Sequence, residues 1–308
     1  MCTELLNQPS KIGFNCVFVH FYGIWLADHL RPPMQIPGVV LSLLDKLQTR
    51  EIEIPRCVKK RAPHKYDIHR IWEATSYNDT CEYVSALFFD DDDHSVRFLR
   101  NEAMSAHLMR DLVVVHNHLS PPTPNIIYGY SKESLCQPNA PKIPIWLAEE
   151  AKAETDLYYH FLVVKMQGHE TNTDRNSQEA INDCMVASSI CVGMIDKLNE
   201  RLFELYNNNN NNNVPERLND AVFGIVANGG VARVYVTYAW YQGTEHTLKV
   251  ASFLLEDPEH HLKFYKLVRS IIAWGKGERL EGVLSALRVI RLGGPRWHRY
   301  PAYGEDAF

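Results

Sequence analysis

Residues 161–168 read Phe-Leu-Val-Val-Lys-Met-Gln-Gly, and this segment decides the fold. Its first four residues form a compact apolar run, rich in β-branched side chains, which is typical of a buried strand. Downstream, residues 177–205 repeat apolar side chains at helical spacing and therefore predict one long helix. Cys184 and Cys191 would lie two turns apart on one buried face of that helix.

Upstream of this strand, a proline-rich segment, Pro121-Pro-Thr-Pro124, separates two predicted elements. Before it, apolar residues at helical spacing predict a helix over 96–115, which the prolines must end. After it, residues 126–128 predict a short strand, and Gly129 would let the chain turn. A shorter helical pattern covers 39–47.

The C-terminal third predicts further strands followed by helices. Asn228-Gly-Gly230 is a hairpin signal, and Asp257 before Pro258 is typical of a helix N-terminus. The predicted strands and helices cover 222–226, 232–240, 248–255, 260–274 and 280–290. The order of helix, strands, helix, strands, helix predicts an α/β fold, with a mixed sheet flanked by helices.

Composition and charge limit the possible functions. The chain has 308 residues, a net charge of −5 and seven cysteines without a C-x-x-C pair. The charge provides no general attraction to nucleic acid, so any such binding needs a local basic patch. Scattered cysteines favour free thiols in a reducing compartment. In addition, no segment of the sequence is long and apolar enough to span a membrane. We therefore expect an intracellular location, cytoplasm or nucleus, and no membrane partner.

Four common enzyme classes also lack their usual motifs. The sequence contains no G-x-G-x-x-G after a strand, no phosphate-loop lysine motif, no G-x-S-x-G and no H-E-x-x-H.

Three segments, taken together, resemble the PD-(D/E)XK nuclease-like proteins of fungi. They are Pro124–Tyr130 (PNIIYGY), Phe161–Gly168 (FLVVKMQG) and Ala180–Cys184 (AINDC). The family pattern has Pro-Asp at the first segment, Glu-x-Lys-Gly at the second and a helical glutamine at the third. The resemblance covers about residues 90 to 290. It implies a restriction-endonuclease-like core.

The family's residue types suit phosphodiester hydrolysis by a divalent cation. Carboxylates hold a hard cation such as Mg²⁺, which binds the phosphate and lowers the pKa of the attacking water. Glutamate and lysine two residues apart on a strand point to the same side, so the lysine lies beside the metal.

In this chain the corresponding residues carry different charges. The resemblance places the family aspartate on Asn125, the glutamate on Lys165 and the lysine on Gln167. It places the helix glutamine on Asp183, and Glu102 corresponds to an acid of the first helix. An ammonium would then stand where a metal ligand is needed, so we predict no metal cofactor and no hydrolysis.

The simplest arrangement of these charges is an ion pair. We expect the Lys165 ammonium to lie near Asp183 or Glu102, in the space that a metal would fill. An active Mg²⁺-dependent nuclease stays open as an alternative if other acids rebuild the site. Its candidates are Glu149, Glu150, Glu154, Asp156, Glu170 and Glu179, which more simply are solvated surface charges.

The domain prediction follows from these assignments. Residues 1–62 form an N-terminal segment of unclear structure, 63–292 the nuclease-like domain and 293–308 a basic, aromatic tail. The asparagine tract 207–213 is predicted to be a disordered loop. The candidate nucleic-acid contacts near and within the tail are Arg288, Arg291, Arg296 and Arg299.

These observations support three hypotheses. The first is a catalytically inactive family member that binds DNA, RNA or a protein partner. The second is the active nuclease with relocated acids. The third is a scaffold or regulatory protein with no nucleic-acid role. Nothing in the residues predicts an oligomeric state.

Overall fold

The computed structural model shows a mixed sheet flanked by helices, as predicted. The residues described are 24–27, 36–55, 84–89, 97–100, 104, 121–135, 157–167, 174–208, 217–228, 230–239 and 245–293. The strands are β1 (Ile24–Ala27), β2 (Arg97–Arg100), β3 (Ile126–Ser131), β4 (Leu157–Gln167), β5 (Val222–Asn228), β6 (Val231–Ala239) and β7 (Glu245–Leu254). The helices are α1 (Gly38–Thr49), α2 (Lys132–Leu135), α3 (Asp174–Asn208), α4 (Pro258–Trp274) and α5 (Leu280–Gly293).

The sheet has the strand order β1-β7-β6-β5-β4-β3-β2. The pairs β4–β5 and β1–β7 are parallel, and all the other pairs are antiparallel. Because parallel neighbours need a crossover, α3 connects β4 to β5. The predicted hairpin between β5 and β6 is confirmed, with Asn228 paired to Val231 around the turn.

Helices cover both faces of the central strands. Phe223 packs edge-on against Trp274 at the end of α4, whereas a side chain at Gly224 would meet Cys184 of α3. Successive residues of a strand point to opposite faces, so α3 and Trp274 lie on opposite sides of the sheet. Burial on both sides explains why β3 and β4 are almost continuously apolar.

The helix predicted over 96–115 is wrong at Arg97–Arg100, which form β2. These four residues pair antiparallel with β3, with Leu99 opposite Ile127. The local apolar spacing suits a helix, but the hydrogen bonds available at the open edge of the sheet outweigh that preference. The rest of the predicted helix, apart from Met104, lies outside the described residues.

The prediction of a turn at Gly129 is also wrong, because Gly129 lies within β3. A side chain there would come within 2.9 Å of both the His160 ring and the Tyr158 carbonyl. The pairing of β3 with β4 shifts register between Tyr128 and Tyr130. The glycine therefore allows a close approach of two backbones at a bulge.

The N-terminal segment contributes to the same fold. β1 extends the sheet beside β7, and α1 confirms the helical pattern predicted over 39–47. Val40, Leu43 and Leu47 of α1 are buried and belong to the main hydrophobic core.

The long helix predicted over 177–205 is confirmed and extends over Asp174–Asn208. The first two asparagines of the tract at 207–213 are thus the last residues of α3, and the others lie outside the described residues. Within the described residues, no helix combines the length and hydropathy needed to cross a membrane.

The C-terminal helices form one continuous rod with a π-helical turn inside it. The Asp257 carboxylate accepts hydrogen bonds from the backbone N–H groups of Glu259 and His260, which confirms the predicted cap of α4. The π-helical turn, Gly275–Arg279, joins α4 to α5. Such a turn shifts the helical register by one residue, and here it directs Arg279 inward, where the side chain is buried.

Candidate functional site

The residues predicted to form the site meet where β4 approaches α3. Asn125 directly precedes β3, and its backbone N–H donates to the Val164 carbonyl across 2.8 Å. Lys165 and Gln167 are alternate residues of β4 and so share a face of the sheet. Asp183 lies on α3. The structure therefore gathers four of the predicted site residues, whereas Glu102 lies outside the described residues.

Lys165 forms the predicted ion pair. Its Nζ lies 2.7 Å from Asp183 Oδ2, and the two side chains are 19% and 36% exposed. Every other residue of β4 is buried, which leaves Lys165 at the margin of the core. A charge pair in this partly solvated setting contributes about 1 kcal/mol or less to stability.

Thr123 provides two further oxygens to the same ammonium. Lys165 Nζ donates to the Thr123 carbonyl across 2.7 Å and lies 3.4 Å from the Thr123 hydroxyl. An ammonium has three N–H donors, and three oxygens surround this one. Sequence reasoning missed Thr123, although its position within Pro121-Pro-Thr-Pro124 favours a stiff backbone that can present a carbonyl.

Asn125 takes part in strand pairing. Its side-chain oxygen Oδ1 accepts a hydrogen bond from the Met166 backbone N–H at 2.5 Å. Together with the bond from its own N–H to Val164, this extends the β3–β4 ladder by one residue. The side-chain oxygen of Asn125 is therefore engaged with the neighbouring strand.

These residues do not fit a divalent metal ion. The ammonium of Lys165 stands among the oxygens of Asp183 and Thr123, and its charge repels a cation. The Asn125 oxygen is bonded to the backbone, and Gln167 provides no charge. Among the described residues, no three histidine, cysteine, aspartate or glutamate side chains are grouped to hold a metal.

Cys184 follows Asp183 on α3 and packs beneath the sheet. Its Sγ lies 3.9 Å from the Val163 carbonyl and 3.8 Å from the Ile225 carbonyl. Burial, with the adjacent Asp183 carboxylate, raises the pKa of this thiol to about 12. The thiol therefore stays protonated and is not a nucleophile. Cys184 and Cys191 are both free and buried, as predicted.

A second buried charge, Arg279, lies at the end of the π-helical turn, next to the starts of β4 and β5. Its guanidinium donates to the backbone carbonyls of Ala221 at 2.6 Å, Asn219 at 3.2 Å and His160 at 3.3 Å. Its carbon Cζ stands 5.1 Å from the centre of the Trp274 ring. Among the described residues, no carboxylate lies within ion-pair distance of it. Carbonyl dipoles, the ring face, Tyr130 and the nearby Asp220 carboxylate therefore offset part of the cost of burying this charge.

This cation changes the titration of its neighbours. Burial first, and then the charge of Arg279, lower the pKa of His160 to about 4, so His160 is neutral at physiological pH. Burial raises the pKa of Tyr130, and Arg279 partly opposes that rise. The sequence offers no signal for this cluster, because arginine at 279 looks like an ordinary polar residue of a helix surface.

The other candidate residues are dispersed. Arg288 and Arg291 are exposed on α5, while Arg296 and Arg299 lie outside the described residues. Of the acids considered for a relocated site, Glu179 is exposed on α3. The remaining acids, Glu149, Glu150, Glu154, Asp156 and Glu170, lie outside the described residues.

Fold and site together define a mixed α/β domain in which a lysine of a strand pairs with an aspartate of a helix, next to the carbonyl and hydroxyl oxygens of Thr123. The chain belongs to the family described as Domain of unknown function (DUF7924), whose model matches residues 85–287 and hence more than half of the chain. Comparison with curated proteins and with solved structures found no match.

Proposed function

We propose that this chain has a restriction-endonuclease-like core whose metal site is replaced by an ion pair, and that it acts by binding and not by hydrolysis. The observation that carries the proposal is the position of the Lys165 ammonium, 2.7 Å from both Asp183 and the Thr123 carbonyl. An ammonium held there by oxygens is a substitute for a metal, and it cannot lower the pKa of a water molecule.

The order of elements supports the same proposal. A strand ending in Lys165 and Gln167 leads into α3, and α3 leads into a parallel strand beside the first. This arrangement brings the motif's strand positions and its helix position together, as hydrolysis in a PD-(D/E)XK protein would require. The residues at those positions differ from the motif, while the strand and the helix that bring them together are present.

Divalent cations provide the direct test. We expect neither Mg²⁺ nor Mn²⁺ to raise the melting temperature of the purified chain, and no cation-dependent cleavage of DNA or RNA. A metal that binds only the folded state must stabilise it, so thermal unfolding reports binding even without activity. Cation-dependent cleavage would instead support an active nuclease with acids from other segments.

A variant with the family residues restored provides the matched positive control. The substitutions Asn125→Asp, Lys165→Glu and Gln167→Lys, with Asp183 unchanged, move the ammonium two residues along β4 and add two carboxylates. We expect this variant to gain a Mn²⁺-dependent rise in melting temperature that the natural chain lacks. If it binds no metal while remaining folded, the proposed correspondence of these positions to a nuclease site is wrong.

For the ligand we propose nucleic acid first and a protein partner second, within the cytoplasm or nucleus. Arg288 and Arg291 are exposed on the last helix and provide local positive charge in a chain of net charge −5. Affinity for DNA or RNA should fall steeply with salt, and Arg288→Ala with Arg291→Ala should flatten that dependence.

Lys266 is the matched control, because it is also a basic residue exposed on a C-terminal helix. Lys266→Ala should leave the salt dependence unchanged. If the natural chain shows no salt-sensitive binding to either nucleic acid, the protein-partner alternative takes precedence.

A further inference from the structure

A cavity of about 230 Å³ lies between α1 and the C-terminal helices. Its wall includes four aliphatic side chains and one indole ring, which are those of Leu43, Ile195, Leu218, Val283 and Trp274. These residues come from α1, α3, α4, α5 and the segment before β5, so the space exists only in the folded chain. An apolar cavity of ~150 Å³ is enough to hold benzene, so this one has room for a ring with a short substituent.

The charged groups around the cavity are already paired. Lys46 of α1 and Glu278 of the π-helical turn form an ion pair across 2.8 Å, and both side chains are about half exposed, which places them at the mouth. The Arg279 guanidinium donates to three backbone carbonyls and is only 5% exposed. A charged ligand would therefore lose hydration without gaining a free partner, and the site favours a neutral molecule.

Gly282 of α5 also contributes to the shape of the cavity. It belongs to the lining, and a side chain there would bring its Cβ within 3.2 Å of Leu218 Cδ2. Without that side chain, Leu218 packs close to the backbone of α5 and leaves the space between the helices open. A larger residue at 282 would fill this space or push Leu218 into it.

From the volume, the apolar wall and the paired charges, we propose that the cavity binds a small neutral aromatic molecule, one ring with a short polar substituent. The ring packs against Leu43, Ile195 and Leu218, and binding removes this apolar surface from water. The substituent stays at the mouth, where water reaches it. The proposal does not depend on the lost nuclease site, because Lys165 and Asp183 are not among the residues that line the cavity.

The first experiment compares three probes of similar shape on the full chain: benzyl alcohol, benzoate and benzylamine. Calorimetry and ligand-observed NMR should show saturable binding of benzyl alcohol at millimolar concentration, about tenfold tighter than either ion. Tighter or equal binding of one of the ions would show that charge selects the ligand, which contradicts the proposal. Absence of saturable benzyl alcohol binding would overturn it entirely.

A variant at the mouth then locates the site without changing the core. Ser42 lines the cavity from an exposed position on α1, so Ser42→Trp should block entry and abolish benzyl alcohol binding. Asp45→Trp, on the same helix but not part of the lining, should keep it. Affinity unchanged by Ser42→Trp would place binding elsewhere and contradict the proposal.

A variant of the wall fills the cavity from the opposite side. Gly282→Leu should abolish benzyl alcohol binding, whereas Ser285→Leu, at an exposed position of the same helix outside the lining, should retain it. Circular dichroism checks that both variants are folded, and Ser42→Trp decides the question if Gly282→Leu is not. A folded Gly282→Leu protein that binds benzyl alcohol as tightly as the natural chain would refute the proposed site.

The ion pair at the mouth provides the last readout. Glu278→Gln removes the partner of Lys46, so benzoate affinity should rise several-fold while benzyl alcohol affinity stays within about twofold. A large loss of benzyl alcohol binding would show that the charges, and not the apolar wall, hold the ligand. Unchanged benzoate affinity would mean that the substituent does not lie at the mouth.

Discussion

At the scale of single residues, Lys165 shows how one side chain sets the charge of a site. A glutamate at this strand position would add a metal ligand, whereas the lysine brings its own cation to the same oxygens. The contacts to Asp183 and Thr123 show that the ammonium is accommodated, with its N–H donors directed at oxygen acceptors. The site is thus internally neutralised.

A double-mutant cycle measures this interaction. With Lys165→Met, Asp183→Asn and the combined variant, we expect a coupling free energy of about 1 kcal/mol, because the pair is short but partly exposed. Urea denaturation of the four proteins provides the free energies of unfolding. A coupling energy indistinguishable from zero would mean that solvent screens the pair completely.

Glu245 is the residue for which we expect the largest effect of pH. Burial raises the pKa of this carboxyl to about 8, and the carboxylates of Asp196 and Asp220 act in the same direction, while Ser189 lowers it. The folded state therefore holds the proton more tightly than the unfolded chain, whose glutamate pKa is about 4.3. The free energy of unfolding should consequently fall as pH rises from about 4.3 to about 8.

Glu245→Gln removes this titration. The variant should match the natural protein near pH 4 and exceed its stability at pH 8 by on the order of 2 kcal/mol. Denaturation curves of both proteins across this range provide the test, and their difference cancels contributions from His160 and the other groups. A difference that does not vary with pH would show that Glu245 is ionised in the folded state at neutral pH.

At the scale of elements, the π-helical turn explains how α4 and α5 bring buried groups to the sheet. Gly275 opens the turn, its carbonyl accepts a hydrogen bond from the Tyr130 hydroxyl at 2.7 Å, and Phe161 packs against its α-carbon side. Arg279 closes the turn and reaches the carbonyls near the starts of β4 and β5. The turn therefore joins the C-terminal rod to the central strands.

Two glycines of this turn form a natural pair for mutation. A methyl group at Gly275 would lie 2.2 Å from the Phe161 ring, whereas one at Gly277 would have nothing within 4 Å. Gly275→Ala should destabilise the protein by about 1–3 kcal/mol through overpacking. Gly277→Ala should be neutral, or stabilising by up to about 1 kcal/mol. Thermal unfolding distinguishes them, and equal effects would contradict the packing of Gly275 on Phe161.

At the scale of the whole molecule, the folded unit includes residues that precede the region matched by the family model. The matched region begins at residue 85, yet α1 packs into the core and β1 pairs with β7. The Lys46–Glu278 pair further ties α1 to the C-terminal rod. We therefore expect the N-terminal elements to unfold together with the rest of the chain.

Leu43→Ala tests this cooperativity. Leu43 is 5% exposed, and loss of a buried leucine side chain costs about 2–5 kcal/mol. The variant should unfold in a single transition at lower denaturant concentration, whether followed by far-UV circular dichroism or by tryptophan fluorescence. Two separate transitions would show that α1 is an independent unit, and Leu41→Ala, at an exposed position of the same helix, is the control.

The sequence by itself determined the local features of this protein. Helical spacing predicted α1, α3 and α4, and the apolar run at 161–164 predicted β4, because those signals depend on neighbouring residues of one segment. Residue identity alone also determined the charges at Asn125, Lys165, Gln167 and Asp183. The resemblance to a nuclease motif placed these positions in one site, the ion pair followed as a prediction, and the structure confirms the pair.

Only the tertiary structure decided the features that depend on contacts between segments distant in sequence. Arg97–Arg100 became a strand because β3 offered an open edge, and Thr123 became a partner of Lys165 because the proline segment ends beside β4. Burial of Arg279 and Glu245 likewise results from packing between elements distant in sequence. Hydrogen bonding and desolvation act through space, so a one-dimensional pattern contains no signal for them.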